Sequence, residues 1–79
     1  MYSIADAQLL NTLNEEEQQL EQEIRHNDRM IRWYESQIGE LSIEESKFNE
    51  ELKAVNRGLN EALTAYKKKI QVLEGLKIW

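Results

Sequence analysis

The chain is predicted to be all-α: an antiparallel helical hairpin, packed as a coiled coil, that assembles further into a multi-helix bundle. Three observations predict it. Apolar residues recur every three or four positions along almost the whole length, there is no proline and only three glycines, and a turn signal falls mid-chain at "SQIGELSIEE" (36–45). Charged residues make up 32% of the 79 positions. The straight-chain residues Glu, Gln, Leu and Lys, which keep most of their rotamer freedom in a helix, are abundant. Ile, Leu, Tyr and Trp recur throughout, so this composition reads as long helix rather than disorder.

One heptad register spans nearly everything. Placing position a at residues 10, 17, 24, 31, 38, 45, 52, 59, 66 and 73, with d three later, makes sixteen of the twenty seam positions apolar. Between Leu10 and Leu76, only eight of the other forty-seven positions are apolar. That contrast is the mark of helices meeting along a 3.5-residue stripe. The expected seam comprises Leu13, Leu20, Ile24, Ile31, Tyr34 and Ile38 in the first half, then Phe48, Leu52, Val55 and Leu59 in the second. After Leu59 the stripe widens. Leu59, Leu63, Tyr66, Ile70 and Leu73 form a 4-3-4-3 series of their own, one stutter out of phase with the first.

The elements follow in order within one domain, residues 1–79. A first helix is expected over about 4–38. Ser3 with Asp6 is a start signal for it, and Thr12 with Glu15 is another, which would make the first ten residues a separate short segment. The turn is placed at about 39–42. Gly39 is the residue type that ends a helix in a left-handed conformation. Ser42, three residues before Glu45, forms a capping box, in which each side chain accepts from the other's free backbone N–H. The second helix is expected over about 43–77. The alternative is a single long helix in an antiparallel dimer, because Ile38, Leu41 and Phe48 keep phase across the supposed turn.

Charge sets the pairing direction. Parallel self-pairing would oppose Glu16 to Glu21 and Glu23 to Asp28. Folding the sequence about residues 40–41 instead brings Asp28 level with Lys53, Glu23 with Arg57 and Glu35 with Lys47. It also lays the acidic run 15–17 near the basic run 67–69. Exposed pairs contribute only about 0.2–1 kcal/mol each, but the difference between attraction and repulsion chooses the direction.

The chemistry-bearing residues are few. Without cysteine there is no disulfide, thiolate metal site or cysteine nucleophile. The single histidine, His26, falls at an outward position with no second histidine to build a metal site, and the glycines are too widely spaced for a phosphate loop. No catalytic, cofactor-binding or metal-ligating residue is therefore expected, and the chain is read as non-enzymatic. "RHNDRMIRWY" (25–34) carries Arg25, Arg29 and Arg32 with Trp33 nearby. The pairs Glu21–Arg25 and Asp28–Arg32, spaced i,i+4, account for those arginines as a salt-bridged surface. A net charge of -5 disfavours nucleic acid and anionic membranes. Apolar runs are too short for a membrane span or a signal peptide, so an intracellular, soluble location is expected, cytoplasmic or nuclear.

The functional expectation is a coiled-coil protein–protein interaction module: a small subunit, adaptor or chaperone-like cofactor, with a protein partner or self-association. The alternative is a small acidic inhibitor that blocks a basic, nucleic-acid-binding site through Glu15–Glu17. A second alternative is a small nucleic-acid-binding helical protein. The expected interaction surface is the last third, Leu63, Tyr66, Ile70, Leu73, Leu76 and Trp79, because two helices meeting along one stripe cannot cover it all.

Overall fold

The computed structural model describes residues 2–37 and 39–77. Two helices, α1 (Ile4–Ser36) and α2 (Ile43–Lys77), run antiparallel and pack along their length. The hairpin measures 57 × 15 × 14 Å between its outermost Cα atoms. Ser3 caps α1, its Oγ accepting from the Asp6 N–H while the Asp6 carboxylate accepts from the Ser3 N–H at 3.0 Å. The second start signal is not used: Thr12 lies inside α1, its hydroxyl donating to the Gln8 carbonyl one turn back. The helix is continuous through that point.

The turn forms where the sequence places it. The Gln37 N–H donates to Tyr34 O at 3.0 Å, ending α1, and Glu40 N donates to Gln37 O. Gly39 follows at φ +85°, which costs glycine little and an L-residue more. Ser42 and Glu45 then make the expected capping box, Glu45 N to Ser42 Oγ at 3.1 Å and Ser42 N to Glu45 Oε1 at 3.3 Å. Seam position 45 is thus a glutamate because it caps α2 rather than packing. Ile38, expected in the seam, lies outside the described residues.

The two helices use different registers. On α1 the inward side follows a and d as expected: Leu10, Leu13 and Ile24 are buried, and Leu20, Asn27, Ile31 and Tyr34 are half-buried. On α2 the buried residues are Asn49, Asn56, Ile70 and Leu73, with Leu52, Leu59, Leu63 and Tyr66 half-buried between them. That is the stutter-shifted series, extended back to the start of α2. Phe48 and Val55, expected in the seam, are instead 43% and 54% exposed. Turning α2 about its axis by this amount brings Asn56 inward, where Asn27 and Asp28 bond it, and turns Val55 out.

The tightest packing is at the open end, where Leu10 and Leu13 meet Ile70 and Leu73, flanked by Tyr66 and Leu76. Lys77 Nζ stands 5.7 Å from the centre of the Tyr2 ring there, a cation–π contact that ties the two ends. At the turn end an edge-to-face pair, Tyr34 and Phe48 with centroids 5.8 Å apart, joins the arms.

Candidate interaction surface

Position along the two stripes sorts the side chains onto two opposite sides of the hairpin. One side is ionic. Glu21 meets Arg25 and Lys67, each at 3.8 Å, and Lys53 bridges Glu35 and Glu50. Hydrogen bonding to Glu35 is the chief reason the Lys53 ammonium is held above its ordinary pKa. The expected pairs shift accordingly: Lys53 takes Glu35 rather than Asp28, and the basic run reaches Glu21 rather than residues 15–17. The long lysine chains lean along the helix and reach partners about one to two turns beyond the level of their own Cα. Arg25, Asp28, Arg29 and Arg32 line one shallow recess. Asp28 sits among these arginines, so they do not present an unbroken cationic patch.

Between the helices on this side lies a polar seam. Asn27 Nδ2 donates to Asn56 Oδ1 at 3.1 Å. Asn56 Nδ2 donates to Asp28 Oδ1 at 2.8 Å and to the Ile24 carbonyl at 3.3 Å. Asn56 is only 5% exposed, so these bonds offset the cost of withdrawing its amide from water. Asn49, two turns nearer the turn, is equally buried, and its Oδ1 has no hydrogen-bond donor among the described residues.

Ile4 and Ile43, the first residues of α1 and α2, are exposed at the two ends of the hairpin; the rest of the exposed large apolar residues lie on the other side. On α1 it holds Leu9, His26, Met30 and Trp33; on α2 it holds Phe48, Val55, Ala62, Ala65 and Val72. Trp33 is 56% exposed and Val72 65%. Two grooves run here between the helices. Leu9, Leu13, Lys68, Lys69, Val72 and Leu73 line one near the open end; Gln19, Gln22, Glu23, His26, Asn27, Val55 and Leu59 line the other near the middle. No ion pair joins the helices on this side among the described residues. The Tyr66 phenol stands beside the Glu16 carboxylate, whose hydrogen bond and charge raise it above its ordinary 10.0.

The interaction surface expected from sequence divides accordingly. Ile70 and Leu73 are spent inside the hairpin, 7% and 8% exposed against Leu10 and Leu13, and Tyr66 and Leu76 pack on the same cluster. Leu63 is half-buried in the α2 stripe, and Trp79 lies outside the described residues. What remains uncovered is the side bearing Trp33, Phe48, Val55 and Val72. The first register, extended through the turn, places Phe48 and Val55 in the seam. The signal that would have placed them outside was the second 4-3-4-3 series, read upstream from Leu59 to Asn56, Leu52 and Asn49.

No helix of the described residues is long and apolar enough to cross a membrane. No family model, curated protein or solved structure matches this chain.

Proposed function

We propose that the protein is a non-enzymatic helical interaction module that holds a protein partner against the side bearing Leu9, Met30, Trp33, Phe48, Val55 and Val72. One observation carries this reading: the ion pairs of the described residues lie on one side of the hairpin, and most of its uncovered large apolar residues lie on the opposite one. Scattered exposed apolar residues need no explanation, but large apolar residues aligned along one side of a small protein mark an association surface. Its tryptophan is a residue type that dominates interface energies, and its phenylalanine is one enriched in interface cores. The role fits a small subunit or adaptor, whose contribution is a rigid helical edge rather than a reaction.

The test compares two baits, the wild-type chain and Val55→Glu/Val72→Glu, in quantitative affinity purification. Both valines face outward, so the double variant keeps the hairpin fold, as circular dichroism checks. Partners held through this side are retained by the wild type and lost from the variant. An identical set on both baits would overturn the reading.

A further inference from the structure

Resting on that reading of the apolar side, we infer that its occupant is a second copy of this chain, laid antiparallel across it to complete a four-helix bundle. The side is complementary to itself about one two-fold axis. The inter-helix contacts Asn27–Asn56 and Tyr34–Phe48, with the cluster of Leu10 and Leu13 on Ile70 and Leu73, fix which residues of the arms are level. They place Glu21 of α1 level with Glu61 and Ala62 of α2, so pairings centred on Glu21 and on Asn60 share one axis to within one or two residues, about 1.5–3 Å along the helices. An axis perpendicular to both helices at that level lays α1 on α1 and α2 on α2, each antiparallel.

Every position of the α2 stripe then meets a compatible one. Phe48 faces Val72 of the second copy, Val55 faces Ala65 and Gly58 faces Ala62. Glu51 faces Lys69, the one lysine within this apolar stripe, and does so twice by symmetry. A Cβ added to Gly58 would meet nothing within 4 Å in the single hairpin, so the small pair Gly58 and Ala62 leaves room for close helix approach at the axis. The same axis matches α1. Leu9 faces Trp33 of the second copy, Thr12 faces Met30, Glu16 faces His26 and Gln19 faces Glu23. Large apolar residues meet apolar or small ones, and no like charges are opposed.

The other symmetric stacking, with both turns at one end, lays α1 on α2. It sets Glu51 against Met30 and Lys69 against Thr12, so each charge loses its direct partner. Charge complementarity therefore selects the antiparallel arrangement. The size is sufficient: a side 57 Å long and about 15 Å wide is on the scale of the ~800 Å² per partner found in stable complexes. Covering it with the ionic side is disfavoured, because that would strip solvent from Lys53, Glu21 and Lys67 without new partners.

The experiment uses the full chain. Sedimentation equilibrium should give twice the 9.4 kDa chain mass, and a monomer up to about 100 μM, a dissociation constant too weak for a stable dimer, would overturn the inference. Such a result would leave the apolar side to be judged by the bait comparison, so the two readings fail separately. Val55→Glu/Val72→Glu should weaken dimerisation by about a hundredfold or more with helicity kept; an unchanged dimer overturns the proposed face. Orientation is read by Val55→Cys/Ala65→Cys in this cysteine-free chain. The two sites lie about 15 Å apart along one helix, too far to bridge within a chain, so oxidation should yield a covalent dimer. Its absence overturns the antiparallel arrangement. As a check that needs no cysteine, Glu51→Lys should weaken the dimer about fivefold, and adding Lys69→Glu should restore it; failure of the second change to rescue counts against the pairing.

Discussion

Asn27 of α1 donates its amide to Asn56 of α2 at 3.1 Å, and Asn56 passes the chain on to Asp28 and the Ile24 carbonyl. This contact holds the two helices in one rotational setting, since turning α2 by one stripe position would bury Val55 in place of Asn56 and strand Asn27 and Asp28. A polar residue in a helical seam sets register at some cost in stability.

The two buried asparagines therefore differ in what their replacement should do. Asn49→Leu removes an acceptor that has no donor and adds apolar surface, and should raise stability by about 1–2 kcal/mol. Asn56→Ala leaves Asn27 and Asp28 without their partner and should lower it by about 1–3 kcal/mol. Urea denaturation followed by circular dichroism, at matched protein concentration, measures both. Equal effects of the same sign would contradict the assignment of one asparagine as satisfied and the other as not.

Gly39 separates backbone strain from crowding. A Cβ there meets nothing within 4 Å, and φ is +85°, so any cost of substitution lies in the backbone. Gly39→Ala should lower stability by about 1–2 kcal/mol. The D-alanine version, made by chemical synthesis, suits that φ and should raise stability by about 0.4–1 kcal/mol through a stiffer unfolded chain. Loss in both chiral forms would show that space, not conformation, demands glycine.

The cap at the head of α2 stands alone as a start signal after the turn. Ser42→Ala removes the acceptor for Glu45 N and should cost about 1 kcal/mol. Ser42→Asp keeps an acceptor at the same place and should recover most of it. Hydrogen exchange localises the loss: the amides of residues 43–46 should exchange faster in the alanine variant, with those of the α2 centre little changed.

Tyr66 provides a pH signature. Hydrogen bonding to Glu16, and then its charge, raise the phenol in the folded chain, with desolvation adding in the same direction. A raised folded pKa means the contact's stabilisation is fully present below pH 10.0, the ordinary phenol value, and is lost as pH rises through the folded value. Ultraviolet titration of phenolate should show one of the three tyrosines ionising late. Glu16→Gln should bring that step down toward 10.0, and Tyr66→Phe should delete it. A late step that survives Tyr66→Phe belongs to another tyrosine.

Much of this architecture is written locally. Ser3 with Asp6, Gly39, and Ser42 with Glu45 are each settled within four residues by backbone hydrogen bonding and left-handed geometry, and the α1 stripe from Leu10 to Tyr34 has a single apolar reading. The rotation of α2 is different. Its apolar and small residues occupy three adjacent columns, one through Phe48 and Val55, one through Leu52 and Leu59, one through Leu63 and Ile70, so two overlapping stripes are nearly equal in hydrophobicity. Hydropathy also counted Asn49 and Asn56 against the stripe that is buried. Only the opposing helix breaks the tie, because Asn27, Asp28 and the Ile24 carbonyl offer Asn56 the bonds that water would otherwise supply, and no periodicity within α2 records what stands across from it. That choice in turn leaves Trp33, Phe48, Val55 and Val72 outside, so the sequence by itself determined the helices, their caps and the place of the turn, while tertiary packing decided that the arms fold on each other and which side is left to bind.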